Sequence, residues 1–431
     1  MRYGFFSATT ALALIASTGL AHAAPTPEQI AAAALRAAPV WDGHNDVPEQ
    51  LRDRRHDVIA GFDFRDTTKE PLDDPRLAAM VPPGTPTGMQ TDLTRLHKGH
   101  VGAQFWSVFV SANLTEQQAV QATLEQIDVM KRVIAANPDT MAYATSSADV
   151  EMAWKAGKIA SLIGMEGGHS IGGSLGVLRQ MYALGARYMT LTHFKNNAWA
   201  DSGTDAPAHN GLTPFGKDVV REMQRIGMLV DLSHTSQKTM LDALDIARAP
   251  VIFSHSGAMT ISGHPRNVSD EVLDRLKANG GVIMVNFFPP YVSAALRDWT
   301  AARAAEEARL KSLRPDRPDL TAPALADWDK GHAKPAVTIA DVANHIDHIK
   351  ARIGIDHIGL GSDFDGGSIG LVGLDDVASY PALFVELARR GYSKADLEKI
   401  ASGNIMRALK GAEVYAAAHR GDAVIENATV F

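Results

Sequence analysis

Beyond residue 38 the chain alternates between two patterns. Short runs are apolar at nearly every position; the stretches between them carry apolar residues three or four apart. The runs are Val40 to His44, Val101 to Val110, Ile159 to Met165, Ala186 to Thr192, Met228 to Leu232, Pro250 to Ser254, Gly281 to Asn286 and His357 to Gly361. Runs that are continuous rather than alternating predict strands buried on both faces, as in a parallel sheet. Helices are predicted between them. In one, Thr213 can cap, Pro214 occupies the first helical position, Phe215, Val219, Met223 and Ile226 form one stripe, and Gly227 ends it. Ser269 starts another that Gly280-Gly281 closes, and Ser393 with Asp396 makes a capping-box-like start. Eight strands with intervening helices predict an α/β fold, a (β/α)8 TIM barrel. Residues 52–95 and 288–336 break the rhythm. Each follows a strand, so both are expected as insertions on the C-terminal face, where such barrels carry their sites. The second reads equally as a lid or as a tolerated surface insertion.

A length of 431 residues would allow two or three domains. No repeat or long linker divides the alternation, so one barrel domain over residues 24–431 is expected. With 45% hydrophobic and 21% charged residues the composition is that of a globular protein with a large core. The net charge of −7 supplies no basic field for nucleic acid. Residues 1–23 read as a signal peptide: Arg2, then the apolar or small stretch Phe5 to Leu20, then Ala21-His22-Ala23 as the cleavage pattern. That stretch is about 16 residues, short of the roughly 20 that span a membrane. The expectation is a periplasmic or secreted protein without a membrane anchor in its mature form. There is no Cys, which removes disulfides and Cys-linked lipid.

Candidate chemistry gathers where the apolar runs end. His44 and Asp46 follow the first, Glu166 the third, His193 the fourth, His234 the fifth, His255 the sixth and Asp363 the eighth. Residues at the C-terminal ends of barrel strands converge on one site, and the spacing of two puts His44 and Asp46 on one face. Such a set of His and carboxylates suits a divalent metal, zinc first. His345 and His348 lie on the helical pattern Asp341 to Ile353 and are expected to face solvent; His56, His97, His100, His209, His332 and His419 fall in loops or helices and receive no role.

Five segments together carry a resemblance: Trp41-Asp42-Gly43-His44-Asn45-Asp46, Gly164-Met165-Glu166-Gly167-Gly168, Asp231-Leu232-Ser233-His234, Phe253-Ser254-His255-Ser256 and Gly361-Ser362-Asp363-Phe364-Asp365-Gly366. In this order, over about residues 38–415, the chain resembles the membrane dipeptidase (renal dipeptidase) family of the amidohydrolase superfamily, in its bacterial soluble branch. The resemblance implies a zinc-dependent dipeptidase acting on L-Xaa-L-Xaa and L-Xaa-D-Xaa dipeptides. It implies two zincs, one held by His44 and Asp46, the other by His234 and His255, with Glu166 bridging. His193 would sit over the scissile carbonyl, Arg266 in His264-Pro265-Arg266-Asn267 would bind the terminal carboxylate, Asn267 and Tyr291 would line the substrate site, and Asp363 would be the general acid/base. Animal members carry an aromatic residue shortly after the His-x-Asp pair, where this chain has Glu49, a departure that bears on the amino-side pocket. A homodimer is compatible with the reading.

The roles are physically coherent. Two metals flanking a water lower its pKa toward neutrality, a donor and a metal stabilise the oxyanion, and a carboxylate shuttles the proton. Other members of the superfamily, a lactonase, phosphotriesterase or cyclic-amide hydrolase, form a second reading; several bridge their metals with a modified Lys, where this chain has Glu166. A non-catalytic zinc- or solute-binding envelope protein forms a third, and Asp363 argues against it, because a passive site needs no proton shuttle.

Overall fold

The computed structural model describes residues 24–72, 88–367 and 369–426, with Met1 and Gly4. Most of the expected leader and part of the first insertion lie outside the described residues. Eight parallel strands close into a barrel: β1 (Val40–Asn45), β2 (Val101–Phe109), β3 (Ile159–Glu166), β4 (Ala186–Thr190), β5 (Leu229–Asp231), β6 (Ile252–Ser256), β7 (Val282–Val285) and β8 (Ile358–Leu360). Each pairs with its neighbours in chain order, and β8 returns to β1. These are the eight apolar runs, with ends agreeing within two residues. The runs are continuous because both strand faces are covered. Trp41, Phe105, Leu162, Tyr188, Leu229, Ile252 and Met284 form one buried cluster, joined by Ile405 and Leu409 of the helix Asn404–Ala418. Their strand neighbours, among them Val40, Val108, Ile163, Met189, Val230 and Phe253, belong to a second cluster with the surrounding helices.

The helix signals act as read. Thr213 accepts from the Gly216 N–H, Pro214 opens the helix Pro214–Ile226, and Gly227 leaves it at φ +87. Ser269 caps Asp270–Asn279, and Ser393 with Asp396 forms a reciprocal capping box. Three elements were not anticipated. Met141–Tyr143 pairs with the first residues of β3, an edge that β4 reaches only from Ile163 onward. Val337–Thr338 and Leu371–Val372 form a separate two-stranded ladder. Runs of two or three residues are too short to carry a periodicity. Both insertions follow strands as expected, and the second is helical: Ala294–Leu313 and Thr321–Gly331. Among the described residues no helix is long and apolar enough to cross a membrane.

Two seams of the barrel are thinly laddered. β1 meets β8 in the single register pair Asp42↔Leu360, and β5 meets β6 in Asp231↔Ile252. A buried carboxylate bridges each seam. Asp42 accepts from the Ser362 N–H (2.8 Å) and hydroxyl (2.6 Å), just past β8, and from the Tyr380 hydroxyl (2.7 Å). Asp231 accepts from the Ser254 N–H (2.8 Å) and hydroxyl (2.5 Å) on β6 and from the Thr190 hydroxyl on β4 (2.6 Å). Removing one partner of such a buried set leaves the others unsatisfied. Asp42→Ala is therefore expected to lower the unfolding free energy by about 3 kcal/mol. Urea denaturation measures it, and an unchanged midpoint would show that Asp42 does not hold the β1–β8 seam.

Candidate active site

The strand ends bring the expected residues together. His44 lies in β1, Glu166 ends β3 and His255 lies in β6; His193, His234 and Asp363 stand three residues past β4, β5 and β8. His234 (φ +67) and Asp363 (φ +63) adopt left-handed backbone, a strained conformation for residues other than glycine. Gly43 is required beside them: a Cβ there would lie 2.5 Å from the Met284 sulfur and from the Ser254 carbonyl.

Glu166 is the centre. Its Oε1 lies 2.9 Å from His234 Nε2, 3.4 Å from His255 Nε2 and 3.7 Å from His193 Nε2, and its Oε2 lies 3.3 Å from His44 Nε2. His44 Nε2 is also 3.4 Å from Asp46 Oδ1. Three overlapping sets have donor atoms mutually within 4.8 Å: His44, Asp46 and Glu166; Glu166, His193 and His234; His44, His255 and Asp363. His193 and Asp363, expected as substrate and proton groups, thus join the five expected ligands in one cluster.

The donors fit a cation. His44 Nε2 and both Asp46 carboxylate oxygens are buried without a hydrogen-bond partner, the condition of atoms reserved for a ligand. Behind the cluster, His44 Nδ1–H donates to the Tyr188 hydroxyl (2.9 Å), and His255 Nδ1–H donates to the Ser254 hydroxyl (2.8 Å), which donates to Asp231. These contacts present the Nε2 atoms inward. Burial lowers His193 to about 4 and holds His234 and His255 well below the ordinary imidazole value. Burial opposes ionisation of Glu166, but the surrounding histidines, His44 foremost, together outweigh it and hold its carboxyl well below the usual range. Neutral imidazoles and an ionised carboxylate are the forms that bind metal. His44 differs: against burial, Tyr188, Glu166 and Asp46 favour its protonated form, a proton that a bound cation would displace. Burial, and then Asp46, push Asp363 up to about 7; its Oδ2 accepts from Asn286 Nδ2 at 3.1 Å.

The cluster opens into a cavity of about 170 Å³ lined by Glu49, Phe109, Phe194, Phe288 and Tyr291. Arg266 is 1% exposed, and among the described residues no carboxylate lies within ion-pair distance of it. Its Nη1 donates to the Ser256 hydroxyl (3.3 Å), its Nη2 to the His255 carbonyl (3.2 Å), and its Nε has no partner. Its guanidinium lies 5.3 Å over the Tyr291 ring. A buried guanidinium without an anion is costly unless a ligand supplies one. Asn267 does not reach the cavity. Its carboxamide accepts from the Gly257 N–H and donates to the Ser262 hydroxyl and the Tyr291 carbonyl, so it ties together the loops that carry Arg266 and Tyr291.

Two further residues depart from expectation. His345 does not face solvent; it is 1% exposed. Its Nδ1 accepts from the Ala258 N–H (2.9 Å) and its Nε2–H donates to the Val292 carbonyl (2.9 Å), joining the loops after β6 and β7 that carry Arg266 and Tyr291. His348, one turn on, is half-buried and paired with Asp270 at 2.7 Å. The helix Ile339–Ile353 packs its His345 side inward because Val342, Ile346 and Ile349 lie on that face. An apolar stripe at residues 342, 346 and 349 brackets position 345, and that spacing was the available signal. Asp42 and Asp231 were also missed, lying inside the apolar runs Val40 to His44 and Met228 to Leu232 and not past their ends.

A closed barrel with a buried His and carboxylate cluster at its C-terminal mouth, beside an unpaired cation, defines a metal-dependent hydrolase. The chain belongs to the membrane dipeptidase family (peptidase family M19), which matches residues 28–422. It is 40% identical over 390 residues to dipeptidase tcpJ of Claviceps purpurea, covering 88% of this chain and 78% of that one. The structure of the probable dipeptidase PvdM from Pseudomonas aeruginosa is similar with a TM-score of 0.74 and 25% identity, covering 90% and 99% of the two chains. A metallopeptidase from Rhodobacter sphaeroides, solved with a phosphinate mimic of the dipeptide L-Ala-D-Ala, shares the fold (TM-score 0.68, 21% identity, 87% and 99% covered). The chain is accordingly a metallopeptidase of the dipeptidase class.

His345 makes the support of this site sensitive to pH. Burial depresses its pKa from 6.5 to about 4, with His348 and Asp341 its charged neighbours. Below 6.5 the unfolded chain takes up a proton that the folded chain refuses until about pH 4. Stability is therefore full above the unfolded value and falls as pH drops through this window, by on the order of 3 kcal/mol at most from this group. Denaturation midpoints of wild type and His345→Asn between pH 7 and pH 4 should differ in slope, the variant being flatter. Parallel curves would assign the acid sensitivity elsewhere.

Proposed function

We propose that the chain is a zinc dipeptidase with a binuclear site, hydrolysing dipeptides with an L-residue at the amino side and either an L- or a D-residue at the carboxyl side. The observation that carries the reading is the convergence of four imidazole Nε2 atoms on Glu166, at 2.9 to 3.7 Å. His44 and Asp46 would hold one zinc, His234 and His255 the other, with Glu166 between them. Nitrogen and carboxylate donors at this number suit zinc. Zinc bound there supplies Lewis acidity, which lowers the pKa of water and polarises a carbonyl.

The chain's own groups do the rest. His193, neutral near pH 7, donates to the carbonyl oxygen as it gains charge. Asp363, with its carboxyl raised toward neutrality by burial, takes the proton of the attacking water and returns one to the leaving amine. Arg266 grips the terminal carboxylate, the anion its burial leaves wanting. That grip fixes substrate length, because a longer peptide places no carboxylate at Arg266. It also leaves the carboxyl-side side chain unread. The carboxylate and the carbonyl are two fixed points, and handedness needs three. The Rhodobacter sphaeroides enzyme, crystallised with its L-Ala-D-Ala mimic, supports that tolerance.

Elemental analysis of active protein should find about two zincs per chain, chelation should abolish activity, and zinc or cobalt should restore it. Full activity at one metal per chain would contradict the binuclear reading. L-Ala-L-Ala and L-Ala-D-Ala should both be cleaved, and D-Ala-L-Ala poorly. Amidating the terminal carboxylate should cost about 2–5 kcal/mol in kcat/KM, a difference that Arg266→Ala largely erases. Equal rates on L-Ala-D-Ala and its amide would remove the clamp.

A further inference from the structure

The cavity is lined on one side by Tyr291, against which the Arg266 guanidinium is buried, and elsewhere by Glu49, a carboxyl group with no role so far. Glu49 lies in the first turn of the helix Val47–Arg55, three residues after Asp46, so it stands one turn farther from the cluster on the same side. It lines the cavity with Asp46 and Phe109, and its side chain is 21% exposed. Its Oε1 accepts only a long bond from Arg52 Nη2, at 3.3 Å. Arg52 is better engaged elsewhere, with Asp53 at 2.7 Å and the Phe109 carbonyl at 2.7 Å. Among the described residues Glu49 Oε2 has no protein partner. A carboxylate that is largely withdrawn from water, incompletely paired and facing a substrate cavity is a receptor for a cation.

We infer that Glu49 reads the side chain of the substrate's amino-terminal residue and selects a cationic one, an ammonium or guanidinium as in Lys or Arg. The inference rests on the proposed placement of the scissile carbonyl at the cluster. With the carbonyl there, the α-nitrogen is two bonds away and lies at the depth of Asp46. Glu49 is displaced outward by about one helical turn, roughly 5 Å, the range of a side chain and not of the α-ammonium. A dipeptide of this kind carries a cation for Glu49 and a carboxylate for Arg266. Burial, and then Asp46, hold the Glu49 carboxyl well above its ordinary value; cations at the cluster would offset Asp46 and Glu166, and a cationic side chain beside Glu49 would itself favour the ionised form.

The test measures kcat/KM of the zinc-loaded enzyme for Lys-Ala, Leu-Ala and Glu-Ala at fixed pH and ionic strength. Wild type should favour Lys-Ala over Glu-Ala by tenfold or more, about the worth of one charge-assisted hydrogen bond. Glu49→Gln should lower the Lys-Ala to Leu-Ala ratio by about tenfold, and Glu49→Lys should turn the preference toward Glu-Ala. Thermal midpoint and metal content identify a variant that fails to fold or load. The wild-type ratio of Lys-Ala to Leu-Ala should in any case fall as salt rises, since the contact is partly exposed. An equal loss on all three substrates in Glu49→Gln would assign Glu49 to the α-ammonium and overturn the inference, as would unchanged ratios or a salt-independent wild-type ratio. Failure of wild type to cleave any of the three would instead strike at the proposed dipeptidase reading itself.

Discussion

The site depends on carboxylates buried in the upper half of a closed barrel and on what neutralises each. Asp42 and Asp231 are satisfied by protein donors. They sit where the β1–β8 and β5–β6 ladders narrow to a single register pair, so hydrogen bonding to side chains replaces the backbone ladder at those seams. Asp46 and Glu166 are not satisfied in this way. Asp46 has no hydrogen-bond partner at either oxygen, and Glu166 has only the Ser107 hydroxyl, at 3.2 Å, besides imidazole nitrogens that are mostly neutral. The first pair holds the barrel shut; the second creates a demand for positive charge. They are coupled through chemistry one bond away: Asp231 anchors Ser254, Ser254 anchors His255, and His255 faces Glu166. Closing the barrel and aiming its ligands are therefore one act.

The same logic runs outward through the loops. Asn267 and His345 spend their polar atoms joining the segments after β6 and β7, and those segments deliver Arg266 and Tyr291. Each thereby fixes a residue to which the proposed function gives a part in substrate binding. The left-handed backbone at His234 and Asp363 belongs to this picture: strain is tolerated where the surrounding hydrogen bonds over-determine the chain.

What could be read in advance follows from how many residues carry each signal. The eight barrel strands were legible because two-sided burial makes every position apolar, and the cluster was legible because polar residues interrupt those runs at their C-terminal ends. Met141–Tyr143 was not, since three residues pairing with one exposed edge leave no period. Asp42 and Asp231 were quoted within the motifs without a role, because their partners, Ser362 with Tyr380 and Thr190 with Ser254, lie on other strands and helices and only closure of the barrel joins them. His345 was misplaced for a related reason. A histidine on a helix reads as polar and outward, whereas two loop groups, the Ala258 N–H and the Val292 carbonyl, supply the partners that let it be buried.

Charge along the cavity gives the last link. A site that only activated water would need the cluster and nothing at its ends. Here a guanidinium without an anion is buried against Tyr291 of the cavity wall, and the incompletely paired Glu49 lines the cavity itself. Both are expensive in the free protein and both are relieved by a ligand carrying the opposite charges in the opposite order. A dipeptide with a cationic side chain on its amino-side residue would meet that condition, with the bond to be cut lying between its two charges. In the proposed function Arg266 and Glu49 would thus measure the substrate while the cluster acts on it, and Glu49, where animal members of the family carry an aromatic residue, is the position at which this chain would alter the measure without altering the chemistry.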